Sequence, residues 1–279
     1  MNDETEVGPW WLPPWIQTVG EHNSAVDLTR AALYLSAHGC THLSSMNDVG
    51  QQLERIDRIT ELASIAHAGN SHFDSWHRLC FGTLQLTGDQ VDFHDPRNSY
   101  LPDIMTRRVG IPIGLCVLAL EFGQRLGVDC WGVGMPGHFL IGARQSLTGD
   151  EVFIDAFDGG SVLDADGCRE KFHQLFGSDR SWSSEFLRPT DGFAMLIRMV
   201  ANLKQHAARR RDLTTLCNLA RLRWFLPGMV IDEGRELVRL CVALGALDEA
   251  PTWLDQLVIR FGHYPGFDTD QRILTAASN

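Results

Sequence analysis

What this chain of 279 residues lacks narrows its class before any motif is read. Its seven cysteines, Cys40, Cys80, Cys116, Cys130, Cys168, Cys217 and Cys241, are odd in number, dispersed and without a CxxC pair. That pattern indicates neither a disulfide framework nor a zinc site, and a reducing cytoplasm is the expected compartment. Basic residues are in deficit: 24 Lys and Arg against 35 Asp and Glu leave a net charge of −11 and a pI near 5.4. Such a balance argues against a nucleic-acid or anionic-membrane surface, since both reward excess positive charge. No apolar run approaches the length of a membrane span, and residues 1–8 are acidic where a secretory signal is basic, so neither a span nor a targeting segment is expected. No metal and no cofactor is expected either.

What is present is enough apolar material, 44% of the residues, to bury a sizeable core. The chain is organised around residues 95–155. Pro112 suits the first turn of a helix, and Leu115, Leu118, Phe122 and Leu126 then recur as one apolar stripe until Gly127 stops it. Short apolar runs at 128–134 and 139–144 are divided by Met135-Pro136-Gly137, and 151–155 follows a Thr148-Gly149-Asp150 turn. The spacing predicts helix, strand, turn, strand, hairpin, strand.

If that hairpin is symmetric about Leu147 and Thr148, Leu140 lies opposite Asp155. His138 and Asp155 are then diagonal neighbours on one face, because side chains alternate with period two. A histidine beside an aspartate is the base-and-orienter half of a triad of the cysteine-protease type. It is equally what a buried histidine satisfied by a carboxylate looks like.

Four ordered blocks carry a resemblance: DPRNSYL at 95–101, RRVGIPI at 107–113, PGHFL at 136–140 and FIDAFDGG at 153–160. Together they resemble the bacterial SirB-type transglutaminase-like family, with weaker similarity over most of the chain after about Ser24. The resemblance implies an α+β fold with a papain/transglutaminase-like core, in which a helix N-terminus packs on a small antiparallel sheet carrying His138 and Asp155 of the triad. A nucleophilic cysteine in that fold sits at the helix start, where free N–H groups and the dipole lower its pKa. Here that place holds Gly110-Ile111-Pro112-Ile113-Gly114, and similar family members often carry Ser where Gly114 stands. Cys116 is the nearest thiol, about a turn too deep, and is expected to be a small buried hydrophobe.

Around this unit, residues 1–23 read as an extended arm rich in Trp and Pro that packs on the body. A first helix starts at a capping-box-like Ser24 and Asp27, with Ala25, Leu28, Ala32 and Leu35 on one face, and ends at Gly39. Two more cover helices follow, around 53–67 and over 73–86. Asn98 or Ser99 is placed to cap a helix containing Pro102, with Arg107 and Arg108 at its C-terminus. Arg97, Asn98 and Arg108 fall in the matching blocks and suggest a salt-bridge frame, or alternatively an anion or peptide site. Past 155, a short strand at 162–163 and a helix over 165–176 precede a linker.

From Pro189 the pattern is purely helical, over 193–210, 213–226, 230–244 and 249–261. These make two helix-turn-helix units near the tetratricopeptide period of about 34 residues. Two such units cannot stand alone, so the tail should pack on the first domain. The expected division is an arm at 1–23, a transglutaminase-like domain with helical cover at 24–188, and a tetratricopeptide-like tail at 189–279. The expected function is a non-catalytic scaffold with a protein or peptide partner, taking neither nucleic acid nor membrane. The alternative is an amide hydrolase or acyl transferase using Cys116, or a water activated by His138, with Asp155 as orienter.

Overall fold

One buried helix and the sheet laid against it position everything else in this computed structural model. The structure describes residues 9–20, 26–67, 69–145 and 148–277. The cover helices are α1 (Leu12–Gly20), α2 (Leu28–Ser36), α3 (Met46–Ala66) and α4 (His72–His77). Asp27, Ser45 and Ser71 cap the last three by accepting from backbone N–H groups. The expectations placed on residues 1–8, Ser24, Ala25 and Leu147 lie outside the described residues.

The arm expected to be extended is helical over Leu12–Gly20. Pro13 and Pro14 fall in its first turn, where a missing N–H forfeits no intrahelical bond, so the two prolines start the helix instead of preventing it. Trp11 and Trp15 are buried, and Trp15 Nε1 donates to the Leu222 carbonyl at 3.2 Å across 207 residues of chain. The third cover helix is likewise not one α-helix over 73–86. It widens into a π-helical turn at Arg78–Thr83, marked by the Leu84 N–H reaching the Leu79 carbonyl, and Phe81 there packs on Gly160, where a Cβ would have no room.

Strand β1 (Thr87–Gly88) pairs in parallel with β2 (Val109–Gly110), and between them lie a 3-10 turn at Pro96–Ser99 and α5 (Leu101–Arg107). Neither Asn98 nor Ser99 caps α5. Asp95 caps the 3-10 turn through the Arg97 N–H, Tyr100 takes the N-cap of α5 without a side-chain bond, and Asn98 instead spends its amide on the Asp92 carbonyl. The central helix α6 (Pro112–Arg125) has Pro112 in its first turn as the sequence suggests. Its buried surface is wider than one stripe. Ile113, Leu115, Cys116, Val117, Leu118, Ala119 and Phe122 are all inaccessible, because α6 is enclosed by the sheet and by α2, α3, α4 and α5.

The sheet consists of β3 (Cys130–Val133), β4 (Leu140–Arg144), β5 (Glu151–Asp155), β6 (Ser161–Leu163) and β7 (Pro189–Thr190) in the order β6-β5-β4-β3-β7, antiparallel throughout. Ile141 opposes Ile154 and Arg144 opposes Glu151, which is the register read from the hairpin. The face away from α6 is covered by α7 (Ala165–Phe176), whose Cys168 and Phe172 join Val133, Leu140 and Phe153 in a small core.

After β7 come α8 (Gly192–Arg210), α9 (Leu213–Trp224), α10 (Ile231–Ala243), α11 (Ala250–Phe261) and a further helix, α12 (Phe267–Ala277), which the sequence pattern did not reveal. Met195, Leu196, Met199, Val200 and Leu203 of α8 belong to the main core, while α10 and α11 pack in a second one. Asp270 of α12 is buried and held by Arg235, Arg239 and Tyr264. Among the described residues no helix is long and apolar enough to cross a membrane.

Candidate functional site

The turn between β3 and β4 sets the position of His138. Gly137 has φ +70°, a backbone that side chains rarely adopt, and the Phe176 ring fills the space a Cβ there would need. The His138 N–H closes the turn on the Met135 carbonyl at 3.0 Å. One residue before β4, the His138 side chain then reaches Asp155 at the end of β5. Nε2 is 3.0 Å from both carboxylate oxygens.

Asp155 is fully buried, yet it is well provided with donors. Its Oδ1 accepts the N–H groups of Phe157 and Asp158, and Lys171 of α7 forms an ion pair with Oδ2. Burial alone would raise its pKa. The hydrogen bond and charge of His138, then those of Lys171, outweigh burial and hold the carboxyl at about 2. With Asp155 ionised, Nε2 of His138 is the donor, which leaves Nδ1 as the ring's free nitrogen, without a hydrogen-bond partner among the described residues. Arg198 of α8 fixes the backbone of the same turn by donating to the His138 carbonyl at 2.8 Å, with its guanidinium over the Phe139 ring. Lys171 and Arg198 were both missed in the sequence. The segments carrying them read as helical, but only tertiary contact brings them to the pair.

The start of α6 is crowded where a side chain on Gly110 or Gly114 would stand. A Cβ added to Gly114 would lie 2.6 Å from Ile104 Cδ1 and 3.2 Å from the Asn98 carbonyl oxygen, and one on Gly110 would meet the same two neighbours at 3.0 and 3.1 Å. The Ile111 N–H, at the N-cap, already donates to the Asn98 carbonyl at 3.0 Å. Cys116 is fully buried, and its Sγ faces the Phe139 carbonyl oxygen at 3.7 Å instead of the His138 ring. Burial first, and the Asp155 charge second, push this thiol well above the ordinary cysteine range. A thiol so placed is held protonated.

The three candidate binding residues are not brought together. Arg97 is bidentate to Asp95, and the buried Asn98 accepts from Arg107 at 2.8 Å. Arg107 also pairs with Asp89 at 3.2 Å and Asp95 at 3.7 Å. Arg108 stands apart: it ends α5 in the left-handed region at φ 65°, is exposed, and has no ion pair among the described residues. The cation at the centre of the frame is therefore Arg107. The frame meets the His138 pair through Phe157, whose ring is 6.2 Å from the imidazole and 5.9 Å from Phe93, and whose carbonyl accepts the Gly88 N–H. Among the described residues no group of three or more His, Cys, Asp or Glu side chains could hold a metal ion.

A helix start facing a sheet that carries a His–Asp pair defines a transglutaminase-like class of fold. Residues 47–201 match the transglutaminase-like superfamily, and the chain belongs to it. The matched span runs from α3 into α8 and includes the pair. The chain is 32% identical over 185 residues to a UPF0162 protein of Xylella fastidiosa, across 64% of this chain and 65% of that one. It thus spans about 65% of the length of that relative. It is also 30% identical over 128 residues to a UPF0162 protein of Pseudomonas aeruginosa, 46% of each chain, and 33% identical over 101 residues to F-box only protein 21 of Mus musculus, 34% of this chain and 16% of that one.

Proposed function

We propose that this chain is a SirB-type member of the superfamily that has lost covalent catalysis, and that it acts in the cytoplasm as a scaffold for a protein or peptide partner. The observation that carries this reading is the filled start of α6: Gly110 and Gly114 face Ile104 and the Asn98 carbonyl where a nucleophile would stand. Cys116, further along the helix, is buried and held protonated, so it supplies no substitute. On this reading the contacts of His138, Asp155 and Lys171 tie β4, β5 and α7 together, the Arg107 frame braces the adjoining turn, and the helices after 188 act as a tetratricopeptide-like interaction tail.

Timed alkylation with iodoacetamide, followed by mass spectrometry, tests it. A catalytic cysteine would be partly ionised at neutral pH and would label much faster than an ordinary thiol of pKa about 8.5. The expectation is that Cys116 is among the slowest of the seven cysteines and that His138→Ala leaves its rate unchanged. Fast labelling that depends on His138 would overturn the scaffold reading.

A second reading is favoured by the free Nδ1 of His138. With Nε2 anchored on Asp155, that nitrogen could accept a proton from water and direct hydroxide at an amide, without any covalent intermediate. Incubation with a library of glutamine- and amide-bearing peptides separates the two. Ammonia or amine release that His138→Ala abolishes would establish hydrolysis, and no release above the variant's background supports the scaffold.

A further inference from the structure

Helix α9 has two apolar faces. Leu219, Leu222 and Leu226, the last just past its end, turn to the main core, while Cys217, Ala220 and Trp224 turn to a smaller core shared with Leu237, Val238 and Cys241 of α10. In that smaller core the sulfurs of Cys217 and Cys241 lie 3.8 Å apart, and both residues are fully buried. No other two of the seven cysteines are within hydrogen-bonding distance of each other. An S–S bond is about 2.05 Å long, so closure must bring the two sulfurs nearer by a little under 2 Å.

We infer that Cys217 and Cys241 form a redox-modification site, at which a hydroperoxide converts the two thiols to a disulfide that fastens α9 to α10. The two sulfurs share a hydrogen bond in which either can donate; donation from Cys241 favours the Cys217 thiolate against the effect of burial, and the nearby Arg221 guanidinium favours a thiolate at either sulfur. In the first step the Cys217 thiolate attacks one oxygen of hydrogen peroxide and breaks the O–O bond. Cys217 becomes a sulfenic acid, and the departing hydroxide takes up the proton lost from the thiol and leaves as water. In the second step the Cys241 sulfur attacks the sulfenic sulfur, the S–S bond forms, and the displaced hydroxide leaves as water with the Cys241 proton. Two thiols lose two electrons and one peroxide is reduced to two waters.

Access comes from the tail itself. The two sulfurs are buried in the second core, which is smaller than the first and lies between helices at the end of the described chain, so oxidation proceeds through local opening of these helices. The remaining cysteines differ: burial pushes Cys40, Cys130 and Cys168 up to about 12 and Cys80 and Cys116 well up, and none of them makes a sulfur–sulfur hydrogen bond among the described residues. The crosslink would close a segment of 24 residues and make the two tail helices one rigid hairpin. Nothing in this depends on whether His138 is catalytic.

The test uses the full chain treated with hydrogen peroxide, then denatured, blocked with N-ethylmaleimide and digested without reductant. The expected result is a Cys217–Cys241 linked peptide, a fall from seven blocked cysteines to five, full return to seven after dithiothreitol, and a higher melting temperature in the oxidised form. In Cys241→Ser a 1,3-dione should trap sulfenic acid on Cys217. The inference fails if Cys217 and Cys241 both remain alkylated while other thiols are consumed, or if peroxide leaves all seven blocked, which would make the contact a packing pair only.

Discussion

Asp155 sits in an environment that ties folding to pH. Its carboxyl sits at about 2 in the folded chain against an ordinary 3.8, so the folded state holds it ionised where the unfolded chain begins to protonate. Its contribution is fully present above about pH 4 and is lost as pH falls through about 2. The shift corresponds to roughly 2 kcal/mol. Lys171→Ala removes one of the groups that lower this pKa, so the folded value rises and the acid-induced loss of stability moves to higher pH. Urea denaturation at a series of pH values would check this, and coincident acid limbs for the two proteins would show that Lys171 does not act on Asp155. The pair itself was legible because period-two alternation and a Thr-Gly-Asp turn fix the hairpin register without tertiary information. Lys171 was not, because its distance from Asp155 is set by how α7 folds back over the sheet, and no local pattern encodes that.

At the scale of elements, α6 was recognised from Pro112 and its apolar spacing, but the breadth of its burial was not, since a stripe of leucines reads the same whether one face or most of the helix is covered. Leu118→Ala and Phe122→Ala each remove a fully buried side chain from it and should destabilise by about 2–5 kcal/mol in chemical denaturation. The start of the helix makes a complementary prediction. Gly114→Cys places a thiol in the first turn of α6, but its Cβ must displace Ile104 Cδ1 from 2.6 Å and press on the Asn98 carbonyl oxygen at 3.2 Å. The expected cost is about 1–3 kcal/mol of overpacking. Adding Ile104→Val removes the clashing Cδ1 and should recover part of it. If Gly114→Cys melts with the parent protein, the helix start is open after all, and the argument against a nucleophile there loses its physical basis.

At the scale of the molecule, α1 and α9 decide whether the tail moves independently. The Pro-rich start looked like an arm laid over the surface, because consecutive prolines argue against helix everywhere except the first turn, and that exception is what the chain uses. Trp15 is fully buried and its indole N–H reaches Leu222, in a helix that serves the main core with one face and the tail core with the other. Trp15→Ala should therefore cost about 3–5 kcal/mol, and the loss should not stay local. Hydrogen exchange read by mass spectrometry locates it. Amides of α2, which packs against α1, should lose protection, and amides of α9 should lose it in step, because a helix held by two cores is loosened when one of them is hollowed. If α2 alone becomes exchangeable while α9 keeps its protection, α9 belongs energetically to the tail, and the helices after residue 212 form a unit whose stability is set by the second core.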